Sequence, residues 1–326
     1  MLALAQEAGH PALLLGAHLA MAQAMFWVGQ FQHAQQHYSA ALAHYDFERH
    51  RPRGFRAGQD PGIVARLYLA LVLCFLGYPD QALAQCDQAL EFARSLEHPF
   101  SLAFALTTSY WIHQVQRDPT TSRQLAPEAL ALSEEHGFAL WRGNSIASLG
   151  VALIELGALE EGIERLTEGI AQLHAIGMEL NDPYYLSLLA RAHHLAGRCE
   201  PGMAVLARAI EISNQTDERY YRAELPRLRG ELLLSISPAN AAQAESEFRL
   251  ALEIAREQRA KLLALRAPMS LYRLRRDTGG NLAARQSLLS VYDSFTEGFT
   301  PRDLVEARAL LELDEPLPDA SPARGN

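Results

Sequence analysis

What this sequence has little of narrows it first. Cysteine is scarce: Cys74, Cys86 and Cys199 are an odd number with no C-x-x-C spacing, so neither a disulfide framework nor a zinc ribbon is encoded. They read as small apolar core residues of a reduced compartment. Basic charge is also in deficit, with a formal net charge of -9 and a pI near 5.7. An acidic surface repels phosphate, which argues against a nucleic-acid partner. Long apolar runs are missing as well. The richest stretch, Pro11 to Val28, is interrupted by His18 and Gln23 and has no basic segment before it. Neither a signal peptide nor a membrane span is predicted, and the expected location is cytoplasmic. No G-x-x-x-x-G-K-[ST] phosphate loop and no G-x-S-x-G elbow occurs, so no cofactor and no catalytic residue is assigned.

What is present is helical periodicity. Apolar residues recur at three and four, as in Leu67, Leu71, Val72, Phe75 and then Leu83, Cys86, Leu90, whereas alternating β-branched runs are scarce. A ruler of small residues organises these helices. Ala41, Ala89, Ala129, Gly169, Ala209, Ala251 and Val291 stand at intervals of 48, 40, 40, 40, 42 and 40. Seven residues before each lie Ala34, Ala82, Ser122, Gly162, Gly202, Ala244 and Ala284, and further back come Ala22, Ala70, Gly150, Ala190 and Gly230. Two antiparallel helices can interlock closely when small residues occupy their crossing. This pattern resembles the tetratricopeptide (TPR) repeat, with a Leu-Gly first helix and a second helix of spaced small residues. The expected fold is all-α, an α-solenoid of about seven TPR-like helix pairs. Turns are expected at Gly29-Gln30, Gly77-Tyr78, Arg117-Asp118, Gly157-Ala158, Gly197-Arg198, Ser237-Pro238 and Gly279-Gly280. A period near 40 exceeds the roughly 34 residues of the simple repeat, so helices or connections must be longer.

Three places depart from the ruler. The 48-residue interval places its extra residues in Glu48 to Gln59, where Arg49, Arg51, Arg53 and Arg56 read as a solvated basic loop rather than an anion site. The repeat around Trp111 carries Tyr110 where a small residue is expected. Near the C-terminus, Thr300-Pro301-Arg302-Asp303 starts a capping helix. The expected domains are thus a superhelix over 1–313 and a disordered tail over 314–326. The beginning, Leu2 to Pro11, resembles the end of a second helix, as at Phe92 to Pro99. The chain therefore reads as starting in mid-repeat, either as part of something longer or with a partner over that end.

Several runs carry a more specific resemblance: Gly58-Gln59-Asp60-Pro61-Gly62, Leu76-Gly77-Tyr78-Pro79-Asp80-Gln81-Ala82, His98-Pro99-Phe100-Ser101-Leu102-Ala103, Gly137-Phe138-Ala139-Leu140-Trp141 and Phe295-Thr296-Glu297-Gly298-Phe299. With them the chain, over roughly residues 1 to 313, resembles the C-terminal TPR region of large bacterial signalling ATPases. Those proteins often carry a class III adenylate or guanylate cyclase domain, or a DNA-binding regulator domain. The resemblance implies a sensor or scaffold arm. The catalytic signatures of such relatives, including a paired-aspartate cyclase segment, do not occur in this sequence.

Candidate sites follow from the first helices, whose positions line the concave groove in TPR superhelices. They are Phe104, Thr107, Trp111 and Gln114; Asn144, Ala147 and Val151; Tyr184, Ser187, Arg191 and His194; and Glu224, Arg227 and Glu231, flanked by Trp141, Arg142 and Tyr221. Aromatics with a few convergent polar groups suit a peptide or a small polar ligand. The proposed ligand or peptide groove is Trp111, Gln114, Trp141, Asn144, Tyr184, Arg191, His194, Glu224 and Arg227. The plainer alternative is that the aromatics are inter-repeat core and the arginines pair with Glu224 and Glu231. His33, His37 and His44 share a helix face but have no carboxylate to orient them, and no metal site is assigned. Carboxylate pairs such as Glu134-Glu135 and Glu160-Glu161 read as solvated helix ends. The leading functional reading is a non-enzymatic protein-interaction or sensor module, the regulatory arm of a signalling ATPase, with a protein, a peptide or an upstream ATPase domain as partner. The alternatives are a receptor for a small metabolite or maltose-like effector and, third, a hidden nucleotide-dependent enzyme.

Overall fold

A computed structural model describes residues 2–47, 58–276 and 281–312. The four arginines of the basic loop, the Gly279-Gly280 turn and the 314–326 tail lie outside the described residues. Within them there are sixteen α-helices and no strand. A short helix, α1 (Leu2–Ala8), precedes seven antiparallel pairs: α2 (Pro11–Trp27) with α3 (Phe31–Ala43), α4 (Pro61–Leu76) with α5 (Pro79–Ser95), and α6 (Pro99–Val115) with α7 (Pro119–His136). Then come α8 (Ala139–Glu155) with α9 (Leu159–Ala175), α10 (Asp182–Leu195) with α11 (Cys199–Thr216), and α12 (Glu224–Ile236) with α13 (Ala241–Glu257). The last pair is α14 (Lys261–Arg276) with α15 (Asn281–Tyr292), capped by α16 (Arg302–Glu312). The fold is an α-solenoid of TPR-like helix pairs. No described helix is long and apolar enough to cross a membrane.

Local chemistry explains the boundaries. Proline opens α2, α4, α5, α6 and α7, where its missing N–H costs nothing. Side chains of Asp60, His98 and Asp118 accept backbone N–H groups at the starts of α4, α6 and α7. The first five pairs turn through a left-handed residue, at Gly29, Gly77, Arg117, Gly157 and Gly197, whereas the sixth turns at Ser237-Pro238 through an extended residue and a short 3-10 turn. The exits from the second to the sixth pair do the same, at Glu97, Gly137, Gly177, Asp217 and Arg259. The added length per repeat lies in the helices, most of which run 16 to 18 residues.

Every member of the ruler is buried on a second helix, and the first-helix small residues meet the small residues seven positions earlier, Gly150 against Gly162, Ala190 against Gly202 and Gly230 against Ala244. The α8–α9 crossing is the tightest in kind, because backbone meets backbone. A Cβ on Gly150 would sit 2.7 Å from the Gly162 carbonyl, and one on Gly169 would sit 2.7 Å from the Ala147 Cα. Gly157 has nothing near it and serves the turn instead. Tyr110 is buried, with Ser145 and Ser148 of α8 beside its hydroxyl, so the large side chain is taken up by the next repeat.

The solenoid also closes on itself. The connection between α11 and α12 reaches the end of α2, where the Arg219 and Tyr220 amides donate to the Trp27 carbonyl at 2.7 and 3.2 Å. The Gln258 amide donates to the Arg219 carbonyl beside Gly29, and the Lys261 chain packs on Gly77. The segment after α15 lies across the start of α5: Glu297 accepts the Gln81 amide, and the Gly298 amide donates to Asp80 at 2.9 Å. Gly29, Gly77 and Gly298 thus serve close approach as well as turning.

Alanine substitution separates the two kinds of helical glycine. Gly169→Ala adds a methyl against backbone, which overpacks by about 1–3 kcal/mol against a propensity gain of about 1 kcal/mol. Gly16, in α2, has nothing within 4 Å, so Gly16→Ala should gain about 1 kcal/mol. Thermal denaturation should show the first variant less stable and the second more stable than wild type; a gain in both would remove the crossing assigned to Gly169.

Candidate functional site

Closure of the solenoid leaves a bore that is partitioned in the middle. Tyr220 and Tyr221, in the connection before α12, extend into it and are buried. The Tyr220 ring lies 5.1 Å from Phe26, 5.4 Å from Trp27 and 5.7 Å from Trp111, and Tyr221 lies 4.9 Å from Tyr184. The Phe26 pair is stacked and the other three are edge-on, arrangements that are favourable at these distances. Chambers of opposite character lie on the two sides of this partition.

The first chamber, of about 370 Å³, is walled by Trp27, Tyr68, Phe104, Trp111, Leu140, Trp141 and Tyr185, with Asn144 and Asn181 at its edge. None of its described lining residues is charged. Asn144 donates to the Leu140 carbonyl at 2.8 Å and accepts the Tyr185 hydroxyl at 2.7 Å. The Trp111 and Trp141 indole N–H groups are buried without an acceptor.

The second chamber, of about 190 Å³, sets arginines and carboxylates among apolar residues such as Val151, Leu188 and Met269. Arg227 grips Glu224 with two bonds, of 2.9 and 2.6 Å, and also pairs with Glu231. Arg191 pairs with Glu155, which Arg302 also reaches at 3.3 Å. Asp303, only 1% exposed, lies between Arg266 at 2.7 Å and Arg117 at 2.9 Å. Arg266 additionally donates to the Tyr221 hydroxyl and the Val115 carbonyl. Burial pushes the Asp303 carboxyl up, but the pull of Arg266 and Arg117 outweighs it and holds its pKa below the usual carboxylate range. Burial likewise works against Arg227, and Glu224 and Glu231 more than restore its charge. His194, beside Ser235 at 2.8 Å, is lowered by burial despite Glu231.

The sequence-predicted residues are therefore divided. Trp111, Trp141 and Asn144 line the uncharged chamber, while Gln114, Arg191, His194, Glu224 and Arg227 line the charged one. Tyr184, 1% exposed, lines neither and stands in the partition, its hydroxyl 3.4 Å from Gln114. The arginines are paired as in the plainer sequence reading, with Arg191 going to Glu155 rather than to Glu224 or Glu231. His37 and His44 approach His18 of α2, the first through ring nitrogens 2.9 Å apart, whereas His33 lines a separate crevice.

Sequence reasoning missed Trp27, Tyr220, Arg266 and the role of Asp303. It also treated Arg117 as a turn residue alone. One signal was legible: Arg117 occupies the left-handed turn position that glycine holds in four other repeats. A Cβ there costs about 1–2 kcal/mol, so a side chain is retained for its contacts.

This geometry defines a closed TPR-like solenoid with a divided bore. No protein-family profile matches the chain. Over 250 residues it is 28% identical to Uncharacterized protein R02095 of Rhizobium meliloti (strain 1021), covering 76% of this chain and 24% of that protein. The chain thus spans about a quarter of that relative's length. Among solved structures, the apo form of RapI is similar, with a TM-score of 0.55 and 11% identity over 92% of this chain and 99% of that one. That likeness is one of fold. A STAND protein with a tetratricopeptide repeat sensor, PH0952 from Pyrococcus horikoshii, has a TM-score of 0.46 and 15% identity over 93% of this chain and 46% of that one.

Two carboxylates give opposite pH signatures. Asp303 has a depressed folded pKa, so its contribution is present above the unfolded value of about 3.9 and is lost as pH falls through the folded one. Asp303→Asn should cost about 3–5 kcal/mol near neutrality and flatten the acid limb of stability, as read by denaturant titration across pH. Glu218, 7% exposed, accepts the Asn181 amide at 3.0 Å. Burial pushes its carboxyl up to about 7, with the Asn181 N–H opposing and Asp182 adding. Its contribution is full below the unfolded pKa and is lost as pH rises through the folded value. Glu218→Gln should therefore raise the melting temperature at about pH 8 and change it little at about pH 5; an equal shift at both would sink the assignment.

Proposed function

We propose that the chain is a non-enzymatic sensor and protein-interaction module that acts as the regulatory arm of a signalling ATPase. The observation that carries this reading is the divided bore. An open TPR groove would accept an extended peptide along its length, but here the Tyr220-Tyr221 partition interrupts that path. What remains is a chamber able to enclose an effector, joined through the partition to the ion pairs that hold the superhelix closed. An effector that prefers one degree of closure shifts the whole solenoid toward it, and that is how a sensor transmits. The motif runs at Gly77-Tyr78-Pro79-Asp80 and Phe295-Thr296-Glu297-Gly298-Phe299 support the ATPase association.

Two measurements test this reading. Immobilised wild-type chain should retain a nucleotide-hydrolysing partner from its own cell extract, and the Trp111→Ala, Arg191→Ala double variant should retain about tenfold less or lower still. Equal retention would count against the bore. In thermal-shift assays ATP and GTP should leave the melting temperature unchanged; stabilisation of about 2.7 kcal/mol, expected at one hundred times Kd, would restore the enzyme reading.

A further inference from the structure

We infer that the uncharged chamber binds a neutral, flat aromatic molecule bearing one or two hydrogen-bond acceptors. The inference rests on the reading of the bore as an effector site. All three tryptophans of the chain, Trp27, Trp111 and Trp141, line this one chamber. The rings form a continuous wall: Trp141 lies 5.6 Å from Phe104, Phe104 lies 6.4 Å from Tyr68, and Tyr68 lies 6.4 Å from Trp111. Such a wall offers faces and edges to a planar guest.

The polar groups decide the class of guest. No described lining residue carries charge, so an ionic ligand would lose its hydration with nothing to replace it. A polyol fares little better. The Thr107 and Thr108 hydroxyls are spent on the Phe104 carbonyl, and the Asn144 amide is spent on the Leu140 carbonyl and the Tyr185 hydroxyl. Beyond the Gln23 and Gln59 amides, which also line the chamber, a sugar's many hydroxyls would find few partners. The Trp111 and Trp141 N–H groups stand apart as donors that are both buried and without an acceptor. A buried donor left unpaired is costly, and a guest whose acceptor reaches it relieves that cost. A volume of about 370 Å³ suits a small molecule rather than a folded segment.

The test uses matched probes on the full chain. N-phenylnaphthylamine is neutral, and anilinonaphthalene sulfonate is the same aromatic framework with an added anionic group. Because every tryptophan lines the chamber, quenching of intrinsic fluorescence reports its occupancy. The neutral probe should bind one to one and quench, while the sulfonate and maltose should bind at least about tenfold more weakly. Trp111→Phe and Trp141→Phe keep a ring and remove the donor. Each should weaken a related probe with a ring acceptor, phenylquinoline, by about three- to tenfold, and leave N-phenylnaphthylamine within about twofold. Leu140→Glu places a charge at the first turn of α8, where the helix tolerates it, and should abolish neutral binding with the melting temperature retained. The inference is overturned if the sulfonate or maltose matches the neutral probe, or if Leu140→Glu binds as wild type does. It is also overturned if neither aromatic probe quenches. None of these outcomes removes the sensor reading, which stands or falls on partner retention by the double variant.

Discussion

One carboxylate shut away from water holds this superhelix closed. Asp303 belongs to the last helix, and its two oxygens are taken by Arg266 of the seventh pair and Arg117 of the third. An isolated buried carboxylate would be prohibitively costly, and so would either guanidinium alone. Together they are tolerable, and only while the last helix stays against the third and seventh pairs. Arg117 accepts a left-handed backbone to make the contact. The ion pairs of the charged chamber extend from this point, with Glu155, Arg191 and Arg302 on one side and Glu224, Arg227 and Glu231 on the other. Ion pairs of this kind add less to net stability than to the choice of one arrangement over others.

Closure in turn creates the uncharged chamber. The α11–α12 connection is drawn against the end of α2, and its tyrosines fill the middle of the bore. Glu218, at the start of the same connection, carries a carboxyl raised by burial and holds the Asn181 amide at the chamber edge. The Tyr220 hydroxyl bonds the Asn181 side chain as well. Chamber wall, partition and closing contacts therefore share residues. A guest pressing on the wall acts on the same connection that touches α2, and bistable packing of this sort turns small local shifts into larger ones.

Much of the architecture was legible in the sequence because steric demand repeats. A helix crossing that admits no side chain must show a small residue every time it recurs, so Ala41 through Val291 mark seven second helices. Turn glycines were equally plain, since Gly77, Gly157 and Gly197 answer to a local backbone requirement. The candidate site was legible only in part. Trp111, Trp141 and Asn144 were placed on the inner face by repeat register, and they do line a chamber. Tyr184 has the same register but is enclosed by Trp111, Tyr220 and Tyr221. Register states which way a first helix faces, and it is silent on what fills the space in front.

By itself the sequence determined that the chain is helical, that its helices pair at a period near 40, and that its inner face carries aromatics and arginines, because each of these rests on contacts between near neighbours in the chain. Only the tertiary structure decided that the solenoid closes, that Tyr220 and Tyr221 divide its bore, and that charge lies on one side of them. Those features depend on the small rotation between successive repeats, summed over seven pairs. No single repeat encodes that sum. It brings Asp303 to Arg117 and Arg219 to Trp27 across nearly two hundred residues, a distance over which local pattern carries no information.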